Sequence, residues 1–160
     1  MLSLAAAVVW VDFFVILLSK FRSLGKSLDV WYDTFGIVAV LSDTIVIVLG
    51  VMIASFLVPN ASTLVLMVVA VGVQLVHDVG FFYGVIKPIP AGYNRMIDVF
   101  KMYATENSWK ILVADALMIA STVVGSELIS ELDMKYQWFF FLLGIYAITF
   151  VLYTRNAKTN

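Results

Sequence analysis

Cysteine is absent from this sequence, and histidine occurs only once, as His77. Without cysteine the chain can form no disulfide, no thiol redox pair and no thiolate metal site, so membrane thiol oxidoreductases are excluded. A single histidine excludes a haem held by two histidines of the same chain. No lysine is expected to be buried within any of the long apolar segments, which argues against a retinal Schiff base. We therefore expect no disulfide, no haem and no retinal.

Charged residues are also scarce. They make up 13% of the 160 residues, and the formal net charge is −1. Nucleic acid is not expected as a partner, because its binding depends on a strongly basic surface. Apolar residues make up 62% of the chain and the mean hydropathy is +1.01, whereas soluble domains contain about 45–50% apolar residues. This composition predicts an integral membrane protein whose main partner is membrane lipid.

Five apolar stretches are long enough to cross a membrane, which takes about 20 residues of helix. They cover residues 2–19, 35–58, 63–86, 109–128 and 136–153. Residues 94–107 place apolar side chains at helical spacing among charged ones, which predicts a short amphipathic helix in the membrane interface. The sequence therefore predicts a single all-α transmembrane domain over residues 1–160, a bundle of five transmembrane helices plus one interfacial helix.

The connections between these helices carry further expectations. Residues 20–33 mix basic and aromatic side chains and are predicted to form an interfacial loop, with Asp33 or Thr34 capping the second helix. Ser62 or Thr63 is expected to begin the third helix. The interfacial helix is expected either to cover one end of the bundle or to contact lipid headgroups.

The distribution of positive charge predicts the orientation, because cytoplasmic loops are enriched in Lys and Arg. Nine of the ten Lys and Arg residues fall on one side of the five-span arrangement, and Lys135 alone falls on the other. The N-terminus is therefore predicted to lie outside and the C-terminus in the cytoplasm. The nine residues are Lys20, Arg22, Lys26, Lys87, Arg95, Lys101, Lys110, Arg155 and Lys158.

Four of the predicted spans contain an aspartate, and such residues are costly in a bilayer, usually face the bundle interior and are often functional. From the rise of a helix, all four lie roughly 8–14 Å from the cytoplasmic ends of their spans. Gln74 and His77 belong to the same layer, and Ser42, Thr44 and Thr122 can add hydroxyl groups to it. The predicted buried polar site comprises Asp12, Asp43, Gln74, His77, Asp78 and Asp115.

Several kinds of chemistry fit such a layer. Carboxylates crowded at low dielectric share protons, which permits proton binding or relay. Asp43, His77, Asp78 and Asp115 could instead hold a divalent cation, because hard cations take oxygen ligands. A membrane-embedded enzyme acting on a lipid could use His77 and Asp78 as an acid–base pair. The same groups could also simply hold the helices together by hydrogen bonds. Asp12 has the weakest claim, because its predicted helix is short.

Two patterns of small residues predict close helix packing. Gly80 and Gly84 form a GxxxG motif, and Ser121 and Gly125 form a small-xxx-small motif. Either pair could act within the chain or between subunits. A homo-oligomer, and a purely structural scaffold or envelope protein, therefore remain alternatives to a proton-binding or catalytic protein.

The stretch from Gln74 to Asp115 contains Gln-Leu-Val-His-Asp, Lys-Pro-Ile-Pro-Ala-Gly-Tyr-Asn-Arg-Met-Ile-Asp and Lys-Ile-Leu-Val-Ala-Asp. This stretch resembles small, uncharacterised polytopic membrane proteins encoded by large DNA viruses of algae and protists. The resemblance covers about a quarter of the chain. It implies an origin in a viral genome and a place in a virion or host membrane, and it implies no activity and no catalytic residues.

Overall fold

The computed structural model describes residues 1–22 and 25–154, and all regular structure within them is helical. Five of the helices are long and apolar enough to cross a membrane, which confirms the predicted helical membrane bundle. Arg155 and Lys158, which contribute to the predicted orientation, lie outside the described residues. The helices are α1 (Leu2–Arg22), α2 (Lys26–Phe35), α3 (Ile37–Leu57), α4 (Thr63–Phe81), continued by a π-helical turn (Phe82–Ile86), α5 (Arg95–Asn107), α6 (Lys110–Ser130) and α7 (Met134–Leu152).

Helix boundaries follow local chemistry at several positions. The Ser62 hydroxyl accepts a hydrogen bond from the Val65 backbone N–H, as expected for the start of α4. The Asn94 side chain accepts from the backbone N–H groups of Met96 and Ile97 and so caps α5. Ser108, with a φ of 51°, ends α5 and separates it from α6.

Helix α1 lies at the centre of the bundle. It packs against α6 and α7 and also touches α3, while α4 packs against α3 and α6. Small residues bring these helices close together. A Cβ atom built at Gly125 would lie 3.4 Å from the Ala7 Cβ, and one built at Gly144 would lie only 2.6 Å from the Val9 Cγ1. Gly125 of α6 and Gly144 of α7 therefore pack within the chain, against the central helix, whereas Ser121 is exposed.

The GxxxG pair lies elsewhere. No atom of the described residues lies within 4 Å of a Cβ built at Gly80 or at Gly84, apart from each glycine's own neighbourhood in the helix. Both glycines are exposed, Gly80 on α4 and Gly84 on the π-helical turn. Of the two roles considered for this motif, packing inside the chain therefore does not occur in this structure, whereas packing against a second subunit remains a prediction.

The predicted interfacial loop at residues 20–33 is wrong, because most of it is helical. α1 continues to Arg22, and Lys26 begins the separate helix α2, which packs against α5. Ser27, Trp31 and Tyr32 are buried on one side of α2. Gly36, with a φ of 52°, separates α2 from α3, so neither Asp33 nor Thr34 caps the second span. Because α2 and α5 lie against the same end of the bundle, we call this end the covered end.

Candidate functional site

Asp12 is the most deeply buried of the four intramembrane acids. Its residue is 1% exposed, although the sequence made it the weakest member of the site. The helix that carries it is longer than predicted and is the central one of the bundle. The Thr44 hydroxyl of α3 donates a hydrogen bond to Asp12 Oδ2. Asp12 Oδ1 is buried and accepts no hydrogen bond from the described residues.

Asp43, one residue before Thr44, accepts hydrogen bonds from the short helix α2. Its Oδ2 atom lies 3.3 Å from Trp31 Nε1 and 3.1 Å from the Tyr32 hydroxyl oxygen. Burial raises the pKa of Tyr32, and the nearby carboxylates of Asp43 and Asp12 raise it further, so this hydroxyl remains a donor. Two neutral donors thus solvate one carboxylate oxygen of Asp43, whereas Asp12 has only one donor.

A second polar group lies on α4. The Gln74 Nε2 amide donates to Asp78 Oδ1 at 2.7 Å, as their separation of one helical turn allows. The His77 Nδ1 atom lies 3.1 Å from the same oxygen, but the histidine side chain is 43% exposed and its ring stacks on Phe81. The imidazole therefore lies at the surface of the bundle, and Asp78 lies between it and the interior.

Asp115 joins the two groups. Its carboxylate interacts electrostatically with Asp78 and with Asp43, and Asp43 interacts in turn with Asp12. From α5, Tyr103 lies close enough to Asp115 and Asp43 for both to contribute to the raised pKa of its hydroxyl, whose main cause is burial. The four acids from four helices therefore belong to one electrostatic neighbourhood, and Asp43 interacts electrostatically with two of the other three acids, Asp12 and Asp115.

Packing at Gly50 indicates that Asp78 and Asp115 lie at a similar depth along the bundle. A Cβ built at Gly50 would lie 3.6 Å from Gln74 Oε1 and 3.8 Å from Ile119 Cδ1, so these residues share one level. Asp78 follows Gln74 by one turn and Asp115 precedes Ile119 by one turn. Because α4 and α6 run in opposite directions, both acids lie about 6 Å from the Gly50 level, on the side of the covered end.

The neighbourhood is not arranged as a metal centre. Within residues 1–22 and 25–154, no three histidine, aspartate or glutamate side chains come together in a way that could hold a metal ion. The suggested ligand set of Asp43, His77, Asp78 and Asp115 is therefore not assembled here. The physical reason is the rotation of α4, which places His77 at the surface rather than beside Asp43.

Several buried oxygens near this layer accept no hydrogen bond from the part of the chain that the structure describes. Besides Asp12 Oδ1, they are Gln74 Oε1, Asp78 Oδ2 and Thr122 Oγ1. A buried polar atom without a partner is costly, and a proton on a carboxylate both removes charge and creates a donor. The arrangement is therefore suited to binding and sharing protons between carboxyl groups.

A glutamate of α5 holds helix α2 in place over the layer of acids. Glu106 accepts hydrogen bonds from the backbone N–H groups of Lys26 and Ser27, both at 2.8 Å, and from the Ser27 hydroxyl. These bonds satisfy donors at the first turn of α2 that no residue within α2 can satisfy. They lower the pKa of Glu106, with a smaller contribution from the Lys26 charge. On the other side, α1 holds α2 through Ser19, which donates to Asp29.

Sequence reasoning missed Trp31, Tyr32 and Tyr103 as parts of the site. The available signal was the spacing of Ser27, Trp31 and Phe35, which recur every four residues as on one face of a helix. Comparison with known proteins adds no further residues, because no protein-family model, curated protein or solved structure matches this chain.

Proposed function

We propose that this polytopic membrane protein binds protons on the carboxyl groups of its four-acid layer and exchanges them with water at the covered end. The observation that carries this proposal is the position of Asp12. Its carboxyl group is almost completely buried inside a helix of membrane-spanning length, and its one hydrogen bond from the described residues comes from Thr44, a neutral partner.

The energetic argument concerns charge. An ionised carboxylate without a paired cation is among the costliest groups to bury, and a neutral hydroxyl does not offset that cost. Proton uptake removes the charge without any rearrangement of the helices. Asp12 with a proton on Oδ1 would keep its hydrogen bond from Thr44 through Oδ2.

Asp43 is the proposed exchange partner. It accepts two hydrogen bonds from α2, so its ionised form is better solvated by the protein than that of Asp12. Two neighbouring acids whose surroundings differ can take different roles: one holds a proton and the other exchanges protons with water. The path from Asp43 to water then leads past Trp31 and Tyr32 on α2.

The side of the membrane and the origin of the protein belong to the same proposal. The excess of Lys and Arg supports a cytoplasmic covered end, so the protons would exchange with the cytoplasm. The resemblance to membrane proteins of large DNA viruses supports a virion or host membrane as the location.

The test is infrared difference spectroscopy on the full chain reconstituted in lipid vesicles. The wild-type protein is expected to show a protonated carboxylic-acid band at neutral pH that Asp12→Asn removes. The matched control is Asp133→Asn, because Asp133 is an exposed acid in the turn between α6 and α7. A spectrum without this band, or a spectrum that Asp12→Asn leaves unchanged, would contradict the proposal.

Exchange is tested separately in the same vesicles with a pH dye in the medium that bathes the covered end. After a pH jump in this medium, vesicles with wild-type protein are expected to take up more protons than empty vesicles. Asp12→Asn and Asp43→Asn should abolish this difference, while Asp133→Asn should preserve it. Equal uptake by wild type and Asp43→Asn would exclude Asp43 as the exchange partner.

A further inference from the structure

Two cavities open at the covered end, on either side of Lys101 of α5. The first has a volume of about 370 Å³ and the second about 500 Å³, and both are lined by Lys101 and Thr105. The first lies between α5 and the π-helical turn that continues α4. Its other lining residues are Phe82, Ile86, Lys87 and Ala104.

The lining of these cavities combines lysines with apolar side chains. Lys87 and Lys101 line the first cavity together with Phe82 and Ile86, and Lys26 lines the second. The Lys101 ammonium donates one hydrogen bond to the Ile89 carbonyl, which leaves two of its three N–H groups for another acceptor. Lys87 is exposed, with its ammonium 5.2 Å from the centre of the Tyr83 ring.

Among the described residues, neither Lys87 nor Lys101 forms an ion pair with an acid. Glu106 lines the second cavity, but its oxygens accept from the backbone of Lys26 and from Ser27. Both oxygens of Asp98 accept from the Gly92 N–H. An anionic group that entered the first cavity would therefore meet the side chains of Lys87 and Lys101 together with apolar side chains.

The position of the first cavity relative to the membrane indicates which kind of molecule would supply the anionic group. The candidate span of α4 and its π-helical turn ends at Ile86, and Lys87 is the next residue. In a bilayer this level is the one at which lipid phosphates and glycerol groups meet the hydrocarbon region. A lipid can place its phosphate between the lysines and its glycerol and upper acyl chain against Phe82 and Ile86 at the same time.

We propose that the cavity between α5 and the π-helical turn binds the phosphate of an anionic phospholipid, through Lys87 and Lys101. The π-helical turn supports this assignment, because such turns occur frequently at functional sites. This site is separate from the proton-binding layer, and neither proposal depends on the other.

The test counts lipids on the purified full-length chain by native mass spectrometry in mixed micelles. Phosphatidylglycerol and phosphatidylcholine are offered at equal concentration. The wild-type chain is expected to retain phosphatidylglycerol in preference, and each lysine removed, as in Lys87→Gln or Lys101→Gln, should reduce the preference about fivefold. Lys135→Gln, at the opposite end, should leave it unchanged. Lys101→Arg should keep it, which separates lost charge from lost folding.

Three outcomes would overturn the site. The first is equal retention of the two lipids by the wild-type chain. The second is an unchanged preference in Lys87→Gln, a variant at an exposed position whose folding can be verified by circular dichroism. The third is displacement of phosphatidylglycerol by inorganic phosphate but not by chloride at the same ionic strength, which would indicate a site for free phosphate instead of lipid.

Discussion

The two ends of the bundle differ in the chemistry of their cores. At the open end, away from α2 and α5, the buried cluster is purely aliphatic and includes Leu4, Val51, Ala54 and Val123. At the covered end the buried cluster contains Trp31 and Tyr32, both of which also bond to Asp43. The aliphatic end is closed by short turns, whereas the end with carboxylates has two additional helices over it.

This difference indicates what the additional helices are for. An aliphatic core inside a membrane needs no cover, because lipid is as apolar as the core itself. A layer of carboxylates near the interface must be shielded from water or given hydrogen-bond donors. α2 does both, since it buries Trp31 and Tyr32 and directs their N–H and O–H groups at Asp43.

The largest effect is expected from a test of whether the two ends face different compartments. Because the wild-type chain has no cysteine, single cysteines can report their side of the membrane. Asn60→Cys lies in the exposed turn at the open end, and Tyr93→Cys lies in an exposed loop at the covered end. A membrane-impermeant maleimide applied to intact cells should label only Asn60→Cys. Labelling of Tyr93→Cys alone would reverse the predicted orientation, and labelling of both would refute the five-span arrangement.

The next largest effect concerns helix packing. Gly144→Ala would place a Cβ 2.6 Å from the branched, buried Val9 and should lower stability by about 1–3 kcal/mol. Gly80→Ala meets nothing within 4 Å and should instead raise stability by up to about 1 kcal/mol through helix propensity. Thermal unfolding in detergent measures both. Loss of stability in Gly80→Ala, together with a smaller assembly on gel filtration, would mean that this face contacts a second subunit.

The sequence was sufficient to predict the five membrane spans, but not how each helix is rotated about its own axis. Runs of about 20 apolar residues define the five spans with ends that differ from the structure by a few residues. The depth of the acids followed from the same counting. Which side chain points inward depends on packing between helices, so Asp12 turned out to be buried and His77 exposed.

Helix α2 could not be predicted because its support is distant in sequence. Its first N–H groups bond to Glu106, about 80 residues further along the chain, and its aromatic face rests on Phe100 and Asp43. A ten-residue helix is marginal alone in water. The local sequence therefore resembles a loop until the contacts with α3 and α5 are known.

A smaller effect on stability is expected to distinguish Thr44 from Thr122. Thr44→Val removes the hydroxyl that donates to Asp12 and should lower stability by about 1 kcal/mol. Thr122→Val should leave stability unchanged or raise it, because Thr122 Oγ1 is buried and bonds to none of the described residues. Unfolding of the two variants in the same detergent gives the comparison. Equal losses would mean that the Thr44–Asp12 hydrogen bond contributes nothing specific.

The smallest effect concerns the glutamate that fastens α2, and it depends on pH. Because hydrogen bonds from Ser27 and the backbone of Lys26 lower the pKa of Glu106 below its ordinary value of 4.5, its bonds contribute fully to stability above that value. The contribution is lost as pH falls towards the lower pKa of the folded state. The raised pKa of Tyr103, caused mainly by burial, keeps its hydroxyl neutral in this range.

Glu106→Gln isolates this contribution, because both proteins contain every other acid of the chain. The thermal midpoint of the wild type should exceed that of Glu106→Gln at neutral pH, and the difference should shrink below about pH 4.5. A difference that is constant with pH would mean that Glu106 holds α2 by shape alone. If the difference does shrink, Glu106→Gln should also speed proton exchange in vesicles, because a looser α2 withdraws Trp31 and Tyr32 from Asp43. The covered end would then limit access to the carboxylates as well as support their fold.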